Sequence, residues 1–196
     1  MESEYKNRGS SMNEGIESGV AVANKRKVRG WDVVLRFLAL ALSLASAVIL
    51  VVDKETTMVA VTLVPTLPAV NVPVTAKWHY LSAFVFVVVA NIIACAYAAI
   101  SLLLALASRR GGKGTTMMII LVDLAMVALL FSSIGAGLAI GLMGYQGNSH
   151  VQWKKVCGVF GRYCDQAGAA IGLSCGASLA FFVLVVLAIL RIHKKH

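Results

Sequence analysis

The chain has 196 residues, of which 59% are of apolar type and 14% are charged, with a formal net charge of +9. A soluble domain carries about 25% charged residues; here the charges crowd into short stretches between long uncharged ones, which argues against a soluble fold. The basic residues border apolar segments, so membrane topology accounts for the charge better than a nucleic-acid partner does.

Residues 1–30 are polar and of mixed charge, and are expected to form a disordered cytoplasmic tail. Ser10, Ser11 and Ser18 are modifiable positions there, although nothing in the sequence demands it. The tail is long for the n-region of a cleavable signal, and the apolar stretch after it exceeds a typical h-region. The first helix is therefore expected to stay in the protein as a signal anchor.

Four apolar stretches follow, at residues 31–52, 81–107, 117–143 and 167–190. Each reaches the roughly 20 residues that cross a hydrocarbon core. The expected fold is an all-α membrane protein: a four-transmembrane-helix bundle with a disordered N-terminal tail. The membrane domain covers 31–190, with outer loops 53–80 and 144–166, a cytoplasmic loop 108–116 and a short cytoplasmic tail 191–196. The second and third stretches are long for a typical core. Tilt, or a thick sterol-rich bilayer such as the plasma membrane, absorbs the excess.

Direction follows from Lys and Arg near the ends of the spans. Lys25, Arg26, Lys27, Arg29, Arg109, Arg110, Lys113, Arg191, Lys194 and Lys195 fall on one side. The smaller set Lys54, Lys77, Lys154, Lys155 and Arg162 falls on the other, over longer loops. The richer side is expected to be cytoplasmic, which puts both termini inside. The cluster Lys25 to Arg29 fits this bias, and also anionic headgroups.

Arg36 and Asp123 stand inside spans. Both lie roughly 5–10 Å below the same boundary at 1.5 Å per residue. Intramembrane charges tend to face the bundle and find a partner, so an ion pair is expected; the alternative is that Arg36 snorkels to the headgroups. Ser43 and Ala47 share the face of Arg36, while Ile134, Gly137 and Gly141 share that of Asp123. Gly168, Gly172 and Gly176 recur at four-residue steps in the fourth span, and Ala94 and Ala98 lie near the face of Asn91. Small residues let helices approach closely in lipid, within one chain or between chains.

The first outer loop contains Val59 to Val64, which reads as a short strand, and Pro65, Pro68 and Pro73, which interrupt regular elements. Trp78 and Tyr80 sit at the mouth of the second span, where amphipathic rings favour the interface. The second outer loop holds Cys157 and Cys164 on the oxidising side, where disulfides form. An intrachain bond is expected, with two free thiols or an intermolecular bond as the alternatives. A bond requires the Cα atoms about 4.4–6.8 Å apart, whereas a straight helix of that length would hold them roughly 10 Å apart. The segment must therefore turn back. Cys95 and Cys175 lie inside spans, and His79 and His150 lie on the opposite side from His193 and His196, so no metal site is expected. The sequence has no N-x-Ser/Thr sequon.

Phosphate-binding, nucleophile-elbow and metalloprotease motifs are absent, as are framed carboxylate pairs. No catalytic residue and no cofactor is expected. Asp53 and Glu55 share a loop with Lys54, but nothing in the sequence frames them as a site.

Four segments in order carry a family resemblance: VVLRFLALALSLASAVILV, FVFVVVANIIACAYAAISL, MIILVDLAMVALLFSSIGAGLAI and VCGVFGRYCDQAGAAIGLS. The chain resembles the Casparian strip membrane domain family, in its broader CASP-like branch of plant membrane proteins, over about residues 28–193. The resemblance implies a four-span plasma-membrane protein with cytoplasmic ends, related in architecture to MARVEL-type proteins. It also implies that the characteristic membrane Arg and Asp correspond to Arg36 and Asp123. Homo-oligomers, from dimer upward, and hetero-oligomers with related members are implied, with recruited cell-wall enzymes as partners. The first outer loop lacks the polar, acidic character of the specialised Casparian-strip members. The resemblance therefore implies a general membrane scaffold and not that particular process. The competing readings are an oligomeric channel or transporter component, and a membrane-bound redox or other enzyme working through Cys157 and Cys164.

Overall fold

The computed structural model describes residues 30–61, 70–107, 113–147 and 155–193. The tail before Gly30, Thr62 to Pro68, Arg109 and Arg110, His150, Lys154 and Lys194 to His196 lie outside the described residues.

Four helices dominate: α1 over Gly30–Val52, α2 over Ser82–Ala107, α3 over Lys113–Gln146 and α4 over Gly161–His193. All four are long and apolar enough to cross a membrane. In lipid, a helix is favoured because it satisfies every backbone donor and acceptor within its own segment. The helices overrun the expected spans: α3 starts at Lys113 and continues to Gln146, and α4 starts at Gly161. Hydropathy marks where lipid ends, whereas a helix ends where its hydrogen bonds end. Gly147 ends α3 with φ 73°, and its N–H reaches the Met143 carbonyl at 2.9 Å. That left-handed conformation is open to glycine at little steric cost.

The bundle is packed with small residues. Ala90, Ala94 and Ala98 of α2 are fully buried in one cluster with Ala39, Leu130, Ala177 and Phe181. A second cluster toward the other end joins Leu50, Phe84, Val87, Ile134, Tyr163, Ala170 and Ile171. The short alanine side chains on this face of α2 let neighbouring backbones come close.

Between α1 and α2 the chain forms an antiparallel ribbon, β1 over Lys54–Val61 and β2 over Val70–Lys77, with Lys54 opposite Lys77 and Val61 opposite Val70. The helical bundle thus carries a two-stranded β ribbon at one end. The strand starts at Lys54, ahead of the expected Val59, because the β-branched run begins with Thr56 and Thr57. The Thr56 and Thr75 hydroxyls, 3.0 Å apart, tie the two strands there. Pro73 does not interrupt β2; it sits opposite Met58. Each strand of a two-stranded ribbon has a free edge, and an edge tolerates a residue without an N–H. A short 3-10 turn, Trp78–Tyr80, leads into α2.

Candidate functional site

The Arg36 guanidinium lies against the Asp123 carboxylate. Nη1 donates to Oδ1 at 3.4 Å and Nη2 to Oδ2 at 3.2 Å. Arg36 is 4% exposed and Asp123 1%, so the arginine points into the bundle and not out to headgroups. The two-point contact suits the planar guanidinium. Two further residues hold the pair. Tyr97 of α2 donates its hydroxyl to Asp123 Oδ1 at 2.7 Å. Asp32, one turn before Arg36, accepts from its Nε at 3.4 Å. Arg191 of α4 approaches the other oxygen of Asp32 at 3.9 Å. One polar network therefore connects all four helices. Its members neutralise one another, which is what a charge away from water requires.

A second polar contact lies deeper. Asn91 of α2 is fully buried; its amide donates to the Val87 carbonyl at 2.8 Å and to Ser174 Oγ of α4 at 2.9 Å. Ser46 of α1 donates to the Ala170 carbonyl of α4 at 2.7 Å. Both pairs tie α4 to a neighbour through small side chains, and both close on themselves.

At the ribbon end, Glu55 Oε2 accepts the backbone N–H of Tyr163 at 2.8 Å. A carboxylate here satisfies a free donor in the first turn of α4 and complements its dipole. Cys157 and Cys164 are disulfide-bonded, with Cα atoms 5.7 Å apart. The reversal expected between them is a turn at Val156 to Phe160, where the N–H groups of Val159 and Phe160 both reach the Val156 carbonyl. Cys164 lies in the first turn of α4, and the N–H groups of Val156 and Cys157 bond the Gly144 carbonyl of α3. The bridge fastens this turn to α4 while the backbone fastens it to α3. Cys95 and Cys175 are free and half-buried.

The expected packing residues divide into two groups. Ser43 is fully buried and Ala47 nearly so, on the face of Arg36. A side chain at Gly137 would meet Val87 and Ile171 at 3.1 and 3.2 Å, and one at Gly176 would meet Leu42 of α1 at 3.1 Å. These glycines permit helix contact inside the chain. Gly141, Gly168 and Gly172 have no atom within 4 Å of an added Cβ. The glycines of α4 therefore do not act as one stripe. Successive four-residue steps rotate by about 40°, which carries Gly176 into the bundle and leaves Gly168 and Gly172 on its exterior.

Residues 25–180 match the family model for the Casparian strip membrane protein domain. The chain belongs to that family. It is 57% identical to CASP-like protein 1E2 of Vitis vinifera over 93% of this chain and 95% of the relative. It is 54% identical to CASP-like protein 1E1 of Populus trichocarpa, over 93% of each chain. It is 48% identical to CASP-like protein 1E1 of Arabidopsis thaliana, over 98% of this chain and all of the relative. No solved structure matches the chain.

In this CASP-like protein the matched region takes in Arg36, Asp123, Cys157 and Cys164, and stops before Arg191. Tyr97 is not evident from the sequence, because a tyrosine in an apolar run looks like packing. Its one signal is a hydroxyl that lipid would leave unpaired. Asp32 is visible as the i−4 neighbour of Arg36. Arg191 reads in the sequence as a topology signal alone. Glu55 carries no signal, because its partner Tyr163 is distant in sequence. Among the described residues, no group of three His, Cys, Asp or Glu side chains is placed to hold a metal ion.

Proposed function

We propose that this multi-pass membrane protein is a non-enzymatic plasma-membrane scaffold that self-associates and organises membrane domains or cell-wall-modifying partners. The carrying observation is the network of Arg36, Asp123, Tyr97, Asp32 and Arg191. Its intramembrane charges are engaged in joining helices, so the chain has the character of a rigid platform and not of a catalyst. The exterior supports the same reading. Large apolar side chains such as Leu44, Ile92, Ile100, Leu124 and Leu179 face outward around the bundle, and the open glycines of α4 lie among them. Both termini are assigned to the cytoplasm on the Lys/Arg asymmetry. Partners are further copies of this chain, related family members and recruited cell-wall enzymes.

Single-molecule bleaching in the native membrane, combined with proximity labelling, tests the scaffold. Clusters of several copies with a reproducible set of neighbours are expected. A monomer at native expression, without stable neighbours, overturns the reading. Terminal tags on sealed cells should resist external protease, and digestion of either tag reverses the orientation. A channel component is disfavoured by Asn91 and Asp123, both buried and engaged in hydrogen bonds.

A further inference from the structure

The ribbon end of the bundle holds a buried carboxylate that the network described above does not use. Asp53 follows directly on the last residue of α1, yet it is only 4% exposed. Its Oδ2 has no hydrogen-bond partner among the described residues. Glu55, two residues on, is already engaged with Tyr163 N–H, and the Tyr163 hydroxyl is itself buried without a partner among the described residues. Burial and the neighbouring Glu55 push the Asp53 carboxyl up to about 6, against the pull of Arg162. A buried acceptor in this condition costs free energy unless a donor is brought to it.

The surroundings describe that donor. Asp53 lines a cleft of about 260 Å³ between α1, the start of β1 and the start of α4. One wall is Val48, Ile49 and Val52, on the last turns of the membrane-spanning α1. The other wall is Lys54, Arg162 and Gln166. Val48 and Val52 are 51% and 74% exposed, so the apolar wall opens sideways toward lipid. The cleft thus combines three requirements at a membrane boundary: an apolar chain along α1, an anion for Lys54 and Arg162, and an N–H or O–H donor for Asp53. Phosphate meets the second requirement through charge-assisted hydrogen bonds. A choline phospholipid meets the first two but has methyl groups where the donor is needed.

We propose that this cleft binds one membrane phospholipid whose headgroup carries a hydrogen-bond donor beside its phosphate, with ethanolamine phospholipid as the fitting case. The ammonium meets the Asp53 carboxylate where it lines the cleft, the phosphate lies between Lys54 and Arg162, and one acyl chain follows Val48 and Val52. Free phosphoethanolamine shares the head chemistry but leaves the apolar wall uncovered.

Native mass spectrometry of the full chain tests this, with ethanolamine and choline lipids of identical acyl chains titrated in parallel. The ethanolamine lipid should bind roughly tenfold more tightly, the scale of one charge-assisted hydrogen bond. Asp53→Asn should bring the ratio close to one. Arg162→Gln, at an exposed position that leaves the core intact, should weaken both lipids and preserve their ratio. Equal binding by the unaltered protein overturns the proposal, as does a preference that survives Asp53→Asn. Should Asp53→Asn fail to fold, unchanged affinity of Arg162→Gln for both lipids overturns it alone. Free phosphoethanolamine should not displace the lipid at equal concentration; if it does, the ligand is a soluble headgroup compound and the membrane assignment fails.

Discussion

Tyr97 Oη donates to Asp123 Oδ1 at 2.7 Å, so the carboxylate that receives the α1 guanidinium is also held from α2. The tyrosine ring lies against Phe181 of α4, with centroids 6.0 Å apart. Tyr97→Phe keeps that ring and removes only the donor. A loss of about 1–2 kcal/mol is expected in unfolding from detergent, since Arg36 still neutralises the carboxylate. Unchanged stability would show the hydroxyl to be incidental.

Arg36 and Asp123 should behave as a unit. Arg36→Leu or Asp123→Leu alone leaves one charge uncompensated away from water, at about 3–5 kcal/mol. The double replacement should lose less than the sum of the two. A double-mutant cycle on folded yield and unfolding midpoint measures the coupling, and additive effects would reject it.

Cys157 and Cys164 should remain closed under native conditions. Closing so short a loop contributes up to about 2–3 kcal/mol. Cys157→Ser, Cys164→Ser and the double replacement should lose similar amounts, because each breaks the same bond. Peptide mass spectrometry after alkylation without reduction checks the pairing. Full alkylation of both thiols would refute it, and a reducible dimer would mean that the bond joins two copies.

Gly172 and Gly176 should separate folding from association. Gly176→Leu places a side chain on Leu42 of α1 and should lower the yield of folded monomer. Gly172→Leu meets nothing within 4 Å of its first added carbon. It should leave folding intact and weaken self-association wherever copies meet on that face. In-membrane crosslinking reads the second effect, and thermal unfolding the first. A folding defect from Gly172→Leu would mean that the exterior glycine serves the monomer.

Asp53 makes a pH-dependent prediction. Its folded value, about 6, lies above the ordinary 3.8, so between those values the folded state holds the proton more tightly. Stability from this group is therefore greatest below about pH 4 and is lost as pH rises through 6. Glu55, Lys54, Arg162 and Tyr163 are the titratable groups around it. Asp53→Asn should stabilise the detergent-solubilised protein at pH 7, and the gain should shrink toward pH 4. A gain independent of pH would reject the titration.

The four spans, their order and the shared depth of Arg36 and Asp123 were legible in the order of the residues. Those features follow from one-dimensional facts: apolar length against bilayer thickness, and the fixed rise of a helix. The same reading put both cysteines in one loop and required the chain to turn back between them. What surrounds these residues had to come from the packed bundle. Hydropathy treats Tyr97 as one more large side chain, and nothing in periodicity says that its hydroxyl meets a carboxylate on another helix. Four-residue spacing makes Gly168, Gly172 and Gly176 look equivalent, but whether a glycine meets a neighbour depends on where the adjacent helix lies as the face rotates. Asp53 and Glu55 look alike in the sequence. Folding brings β1 to the start of α4, which gives Glu55 a backbone N–H and leaves Asp53 buried, its Oδ2 without a partner among the described residues. The residue order sets which groups each helix can offer, and the relative placement of helices and ribbon sets which of those groups meet a partner.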